Sequence, residues 1–143
     1  MDTYEWTPAM ALETSGSYWA ACTLHSAIKL DLFTILGDRL SDFEDIARRI
    51  NADERGLSML LNALSALKLI SKTGNKYSNT PFSQSYLSKD SRQYIGYMIM
   101  HHHHLMDAWV HLSSSVRSGD SVRGRELLNN EELRNKIEIR NYV

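Results

Sequence analysis

The apolar positions mark out a succession of short helices. Thr7-Pro8 supplies a capping hydroxyl followed by a proline at the first helical position. From Ala9 to about Leu36 the chain is apolar with few breaks, through Met10, Leu12, Tyr18, Ala21, Leu24, Ile28, Leu32, Phe33 and Leu36. These positions fall on more than one helical face, which implies burial on several sides. Asp31 is the expected division of this stretch into two helices, and Gly37 its expected C-cap. Ser41-Asp42-Phe43-Glu44 reads as a capping box, with Ser41 accepting from the Glu44 amide and Glu44 reaching back. The helix after it carries Phe43, Ile46, Ala47 and Ile50 on one face. Asn51-Ala52 makes a tight turn, and Asp53 caps a second helix with the stripe Leu57, Leu60, Leu61, Leu64 and Leu67. So short a link makes the two helices meet steeply, as in a helix-turn-helix.

The period then changes from helical to alternating. Leu69-Ile70-Ser71-Lys72 and Lys76-Tyr77-Ser78-Asn79 flank Thr73-Gly74-Asn75, and Gly74-Asn75 suits a two-residue hairpin turn. A helix-turn-helix followed by a small hairpin is a winged-helix pattern. Thr80-Pro81 opens another short helix to about Leu87. After a polar connector, Asp90 or Ser91 caps a longer helix from about Arg92 to Ser115. Its stripe is Ile95, Met98, Ile99, His102, Met106, Trp109 and Leu112, and Ser118-Gly119-Asp120 closes it. The tail is polar, with a last helix from Glu131 anchored only by Leu133 and Ile137.

Composition narrows the class. The 143 residues suit one domain with a real core, and 43% apolar with 23% charged residues is ordinary for a globular protein. A formal net charge of −1 gives no global field to attract nucleic acid or acidic lipid. The single cysteine, Cys22, lies among apolar residues and cannot pair within the chain. No basic segment leads an apolar stretch at the N-terminus, and no apolar run approaches the about 18 to 20 residues needed to span a bilayer. No membrane association and a cytoplasmic location are the default expectations.

Candidate chemistry is sparse. The run His101-His102-His103-His104 lies inside an amphipathic helix. His101, His104 and Asp107 have the i, i+3 spacing of a metal site, yet adjacent side chains point about 100° apart, so all four cannot share one ion. Packing, solvent exposure and the lining of a small-molecule pocket are the other readings, and no metal site is assigned. Met98, Met106 and Trp109 share the stripe with His102 and read either as core or as the wall of an aromatic-substrate pocket. The outward face of the second winged-core helix offers Arg55, Ser58, Asn62, Ser65 and Lys68, with Glu54 at the end that would approach bases. Lys72 and Lys76 on the wing add little to so weak a phosphate-binding face. His25, alone on an apolar helix, reads as a core histidine. No G-x-S-x-G elbow is present, and the glycines at 16, 37, 56, 74, 96, 119 and 124 are too far apart for a phosphate-cradling loop. No catalytic residue is assigned.

The order of these features resembles a known family. The apolar N-terminal region is followed by Ser41-Asp42-Phe43-Glu44-Asp45-Ile46-Ala47 and by Leu57-x-x-Leu60-Leu61-x-x-Leu64-x-x-Leu67-Lys68-Leu69-Ile70. Then come Lys76-Tyr77-Ser78-Asn79-Thr80 and a helix ending Trp109-Val110-His111-Leu112. From about Ser15 to Gly119 this is similar to the N-terminal half of the bacterial and plant-type S-adenosylmethionine (SAM)-dependent O-methyltransferases that act on hydroxylated small molecules. The resemblance implies a mainly α, winged-helix fold with extra N- and C-terminal helices in an intertwined homodimer. It implies a dimerisation domain over 1–120 and the start of a linker, 121–143, to an absent catalytic domain. Tyr18, Trp19, Leu24 and Ile28 would lie at the dimer interface, and Met98, His102, Met106 and Trp109 would face the substrate. SAM is expected for the full-length enzyme and no cofactor for this chain, which alone is expected to be inactive. The alternatives are a winged-helix DNA-binding transcription regulator and a stand-alone dimeric adaptor. Nucleic acid is not the expected partner.

Overall fold

A computed structural model describes residues 5–121. The described elements are α1 (Pro8–Gly16), α2 (Tyr18–Lys29), α3 (Leu32–Leu36), β1 (Ser41–Asp42), α4 (Phe43–Ile50) and α5 (Glu54–Ala66). They continue with β2 (Ile70–Thr73), β3 (Lys76–Asn79), α6 (Pro81–Tyr86), α7 (Gly96–Val110) and α8 (Leu112–Ser118). The described residues are mainly helical, with one small antiparallel sheet in the order β1-β3-β2. The chain divides into two compact units, one ending at His101 and the other beginning at His102. The expected helix from Glu131 and the expected linker from 122 onward lie outside the described residues.

The first unit is built around one apolar core. Ala27 and Ile28 of α2, Leu32, Phe33 and Leu36 of α3, Ile46 of α4, and Leu57, Leu61 and Leu64 of α5 meet Ile70, Tyr77 and Leu87 there. Helix starts follow local chemistry. The side chains of Thr7, Asp53 and Thr80 accept from the amides of Met10, Gly56 and Ser83, at 3.3, 2.8 and 3.2 Å. Each satisfies one of the amides that a helix start leaves open. Helix ends use left-handed residues. Asn51 (φ 51°) ends α4, and the Ala52 amide donates back to Ala47 O at 3.0 Å. Lys68 (φ 57°) does the same after α5, with Leu69 donating to Leu64 O at 3.0 Å. The hairpin closes as its sequence implies: Thr73 pairs with Lys76 and Gly74 takes φ 62°.

Distant parts of the core are joined by side chains that bond to backbone. The Asn79 amide donates to Phe33 O (2.7 Å) and Gly37 O (3.0 Å), tying β3 to the end of α3. The buried Ser83 hydroxyl donates to Leu69 O at 2.6 Å, tying α6 to the approach of β2. Of the three carbonyls, Phe33 O also accepts from the Gly37 amide and Leu69 O from the Thr80 hydroxyl, so side chains and turns share them.

Several expectations need correction. The apolar stretch 9–36 forms three helices: Asp31 divides it in a left-handed conformation (φ 55°), and a further break falls at Ser17. There the Ser17 hydroxyl bonds Thr14 O at 2.9 Å. The capping box at Ser41 does not form. Ser41 is buried in β1 opposite Tyr77, and Asp42 precedes the helix without a side-chain cap bond. Glu44 instead accepts from the Asn75 side-chain amide at 3.0 Å. Leu67 is exposed because the helix ends there. The helix expected from Arg92 starts at Gly96, and it is interrupted at His111 before α8. Gly119 (φ 75°) closes α8.

Candidate functional site

One exposed apolar surface is the N-terminal arm. α1 buries none of its residues, although Met10, Leu12 and two alanines, Ala9 and Ala11, make its first turns apolar enough to seek cover. Leu12 is 76% exposed, and Trp6, directly before the helix, is 62% exposed. α2 has two characters. Its later turns bury His25, Ala27 and Ile28, whereas Tyr18 and Trp19 at its start are exposed, Trp19 at 67%. The two rings meet edge to face at 6.0 Å. Gly16 makes room for the indole: a methyl group there would stand 3.1 Å from the Trp19 ring. Large exposed apolar side chains contiguous along one arm are a signature of an interaction surface.

Of the residues expected at a dimer interface, Tyr18 and Trp19 therefore stand on the surface. Ile28 is spent in the chain's own core and Leu24 packs against it. Trp6 is exposed as well, and sequence reasoning did not single it out. A tryptophan next to the Thr7-Pro8 helix start was the available signal, but it lies outside the helical period that picked out the others.

The residues expected to face substrate are carried by α7. Met98 is exposed in the first unit. In the second, His102 and Trp109 are exposed and Met106 is half-buried. The His103 and His104 rings lie 5.6 Å apart. Among the described residues, no three His, Cys, Asp or Glu side chains are grouped to hold a metal ion. His25 lies in the core.

The two lysines of the hairpin have local partners. Lys72 donates to Asn62 Oδ1 at 2.9 Å and stands 5.5 Å from the Tyr77 ring centroid. Lys76 pairs with Asp42 at 3.3 Å. Arg48 and Arg49 on α4 share Asp45, at 3.6 and 3.9 Å. Among the described residues, no helix is long and apolar enough to cross a membrane.

Comparison with known proteins gives the family. Residues 12–89, more than half of the chain, match the O-methyltransferase dimerisation domain. The N,N-dimethyltransferase OxyT of Streptomyces rimosus is 29% identical over 113 residues, which cover 76% of this chain and 32% of that protein. The tetracenomycin polyketide synthesis 8-O-methyl transferase TcmO of Streptomyces glaucescens is 29% identical over 115 residues, 79% of this chain and 34% of that protein. The chain thus spans about a third of the length of these relatives. An O-methyltransferase family structure from Burkholderia thailandensis superposes with a TM-score of 0.73 at 29% identity, over 81% of this chain and 35% of that one. The chain belongs to the O-methyltransferase dimerisation-domain family.

Proposed function

We propose that this chain is the part of a SAM-dependent methyltransferase that pairs two copies of the enzyme and walls the site of a hydroxylated small-molecule substrate. The observation that carries the proposal is an apolar arm, Trp6, Leu12, Tyr18 and Trp19, left uncovered in a chain of a dimerisation family. A homodimer would cover that arm with its copy, while Leu24 and Ile28 support it from behind. On this reading 1–120 is the dimerisation domain, and α4, α5, β2 and β3 form a winged helix turned to protein pairing. Residues from 121 onward lead toward a catalytic domain. Met98, His102, Met106 and Trp109 would contribute to the substrate wall, since sulfur and indole surfaces pack well on flat rings.

SAM is proposed to bind in that other domain. The described residues do not fit it: the strands are all antiparallel, and Gly37, Gly74 and Gly119, with positive φ, sit singly in separate turns. A nucleoside cofactor calls for glycine-rich backbone beside a parallel strand end. The chain alone is therefore proposed to be inactive. The related TcmO is named for O-methylation and OxyT for N-methylation, and the family's own name favours oxygen as the acceptor here.

Analytical ultracentrifugation of the chain at micromolar concentration tests this. A species of twice the 16.4 kDa chain mass is expected, with no heat of binding on titration of SAM. A monomer would overturn the pairing role. Salt-dependent binding to duplex DNA would favour the transcription-regulator reading instead. The engagement of Lys72 by Asn62 and of Lys76 by Asp42 argues against that reading.

A further inference from the structure

We propose that Asp31, Lys89 and Tyr94 act together as positioning residues that set the first turn of α7, and with it Met98, from the turn between α2 and α3. Residues 87–95 form no regular element, yet they must deliver α7 in one place. Leu87 and Ser88 are buried and donate their amides to Ser83 O, and three further ties hold the segment beyond them. The Lys89 ammonium pairs with the Asp31 carboxylate. The Lys89 amide donates to Thr34 Oγ1 at 3.0 Å, so backbone and side chain of one residue are both fastened to the α3 end of the core. The Ile95 amide donates to Tyr86 O at 2.9 Å, bringing the connector back to α6.

Tyr94 carries the constraint onward. A methyl group on Gly96, the first residue of α7, would lie 2.1 Å from the Tyr94 ring, so the ring is seated directly against the helix start. Its other neighbour is Tyr97, edge to face at 5.1 Å. Burial keeps the Tyr94 hydroxyl protonated beyond the usual tyrosine range, and the hydrogen bond that Lys89 donates to Asp31 holds the Lys89 ammonium above the usual lysine range. Asp31 adopts a left-handed conformation that aspartate tolerates better than most residues. An exposed ion pair alone contributes little. Here it is one of several restraints on a short segment that, past Ser88, has no ladder or helix of its own.

The consequence for substrate rests on the reading of α7 given above; the positioning itself does not. Hydrogen exchange on the intact chain separates the two. The amides of Met98 and Ile99 both bond Ile95 O, at 3.0 and 3.2 Å, and report the first turn of α7. Lys89→Met is expected to raise their exchange about threefold, in line with a weak pair acting locally. Gly96→Ala, which displaces the Tyr94 ring without touching the ion pair, is expected to do the same. The charge exchange Asp31→Lys with Lys89→Asp is expected to restore slow exchange. Unchanged rates, an equal rise at Leu61 and Leu64 of α5, or failure of the charge exchange to restore protection would overturn the proposal. A separate Met98→Ala variant in the complete enzyme, read as KM against kcat, addresses the substrate reading alone.

Discussion

Helix α5 and the N-terminal arm use similar residues to opposite ends. Both are rich in apolar side chains, but α5 places Leu57, Leu61 and Leu64 on one stripe and buries all three. α1 spreads its apolar residues around the helix and buries none. α2 shows the change within one element, exposed at Trp19 and buried by Ile28. A stripe at helical spacing is satisfied within its own chain, because one face suffices to meet a core. An element that is apolar all round needs cover on several sides, and a domain this small supplies only one. The leftover surface is the one on which the proposed pairing would take place.

Substitutions can sharpen that contrast. The largest effect is expected in the core: Leu61→Ala should cost about 2–5 kcal/mol of folding stability, read from the denaturant midpoint, because the fully buried site cannot collapse around the loss. Next, Trp19→Ala should raise the dimer dissociation constant about thirtyfold, roughly 2 kcal/mol for a large aromatic anchor. Sedimentation across a dilution series would read that change, with little effect on the stability of the separated chain. Asp53→Ala, which removes the cap on α5, should cost about 1 kcal/mol in the same denaturant titration. If Trp19→Ala lowers stability as much as Leu61→Ala in a monomeric sample, the division between core and arm is wrong.

The smallest effect is electrostatic. Lys89 and Tyr94 both have raised folded-state pKa values, from the Asp31 hydrogen bond and from burial. A raised value means that the folded state holds the proton more tightly than the unfolded chain does. Their contribution is therefore intact at neutral pH and is lost as pH rises above about 10. The alkaline limb of stability should be shallower in Lys89→Met.

Much of the first unit was legible where the physics is local. Thr7, Asp53 and Thr80 announce their helices by hydroxyl or carboxylate followed by proline or an apolar run, and Gly74-Asn75 announces the hairpin. What escaped was decided at long range. Ser41 satisfies the capping-box pattern, but Tyr77 of β3 draws its backbone into a strand and Asn75 claims Glu44. Two residues of strand leave no alternation to recognise. The start of α7 was misplaced by four residues because Thr34, Asp31 and Tyr86 hold the preceding connector, and no helical period reports that. The arm itself was visible as excess apolar surface. Which of its residues remain outward, Trp19 and not Ile28, depends on the packing of α2 against the core.

The most direct test mixes isotope-labelled with unlabelled chains and records only contacts between copies. The account predicts magnetisation transfer between the Trp6 and Trp19 indole rings of one copy and apolar side chains of another, lost in Trp19→Ala. A sample with the mass of a single chain, its indoles open to solvent and free of any contact between copies, would contradict it.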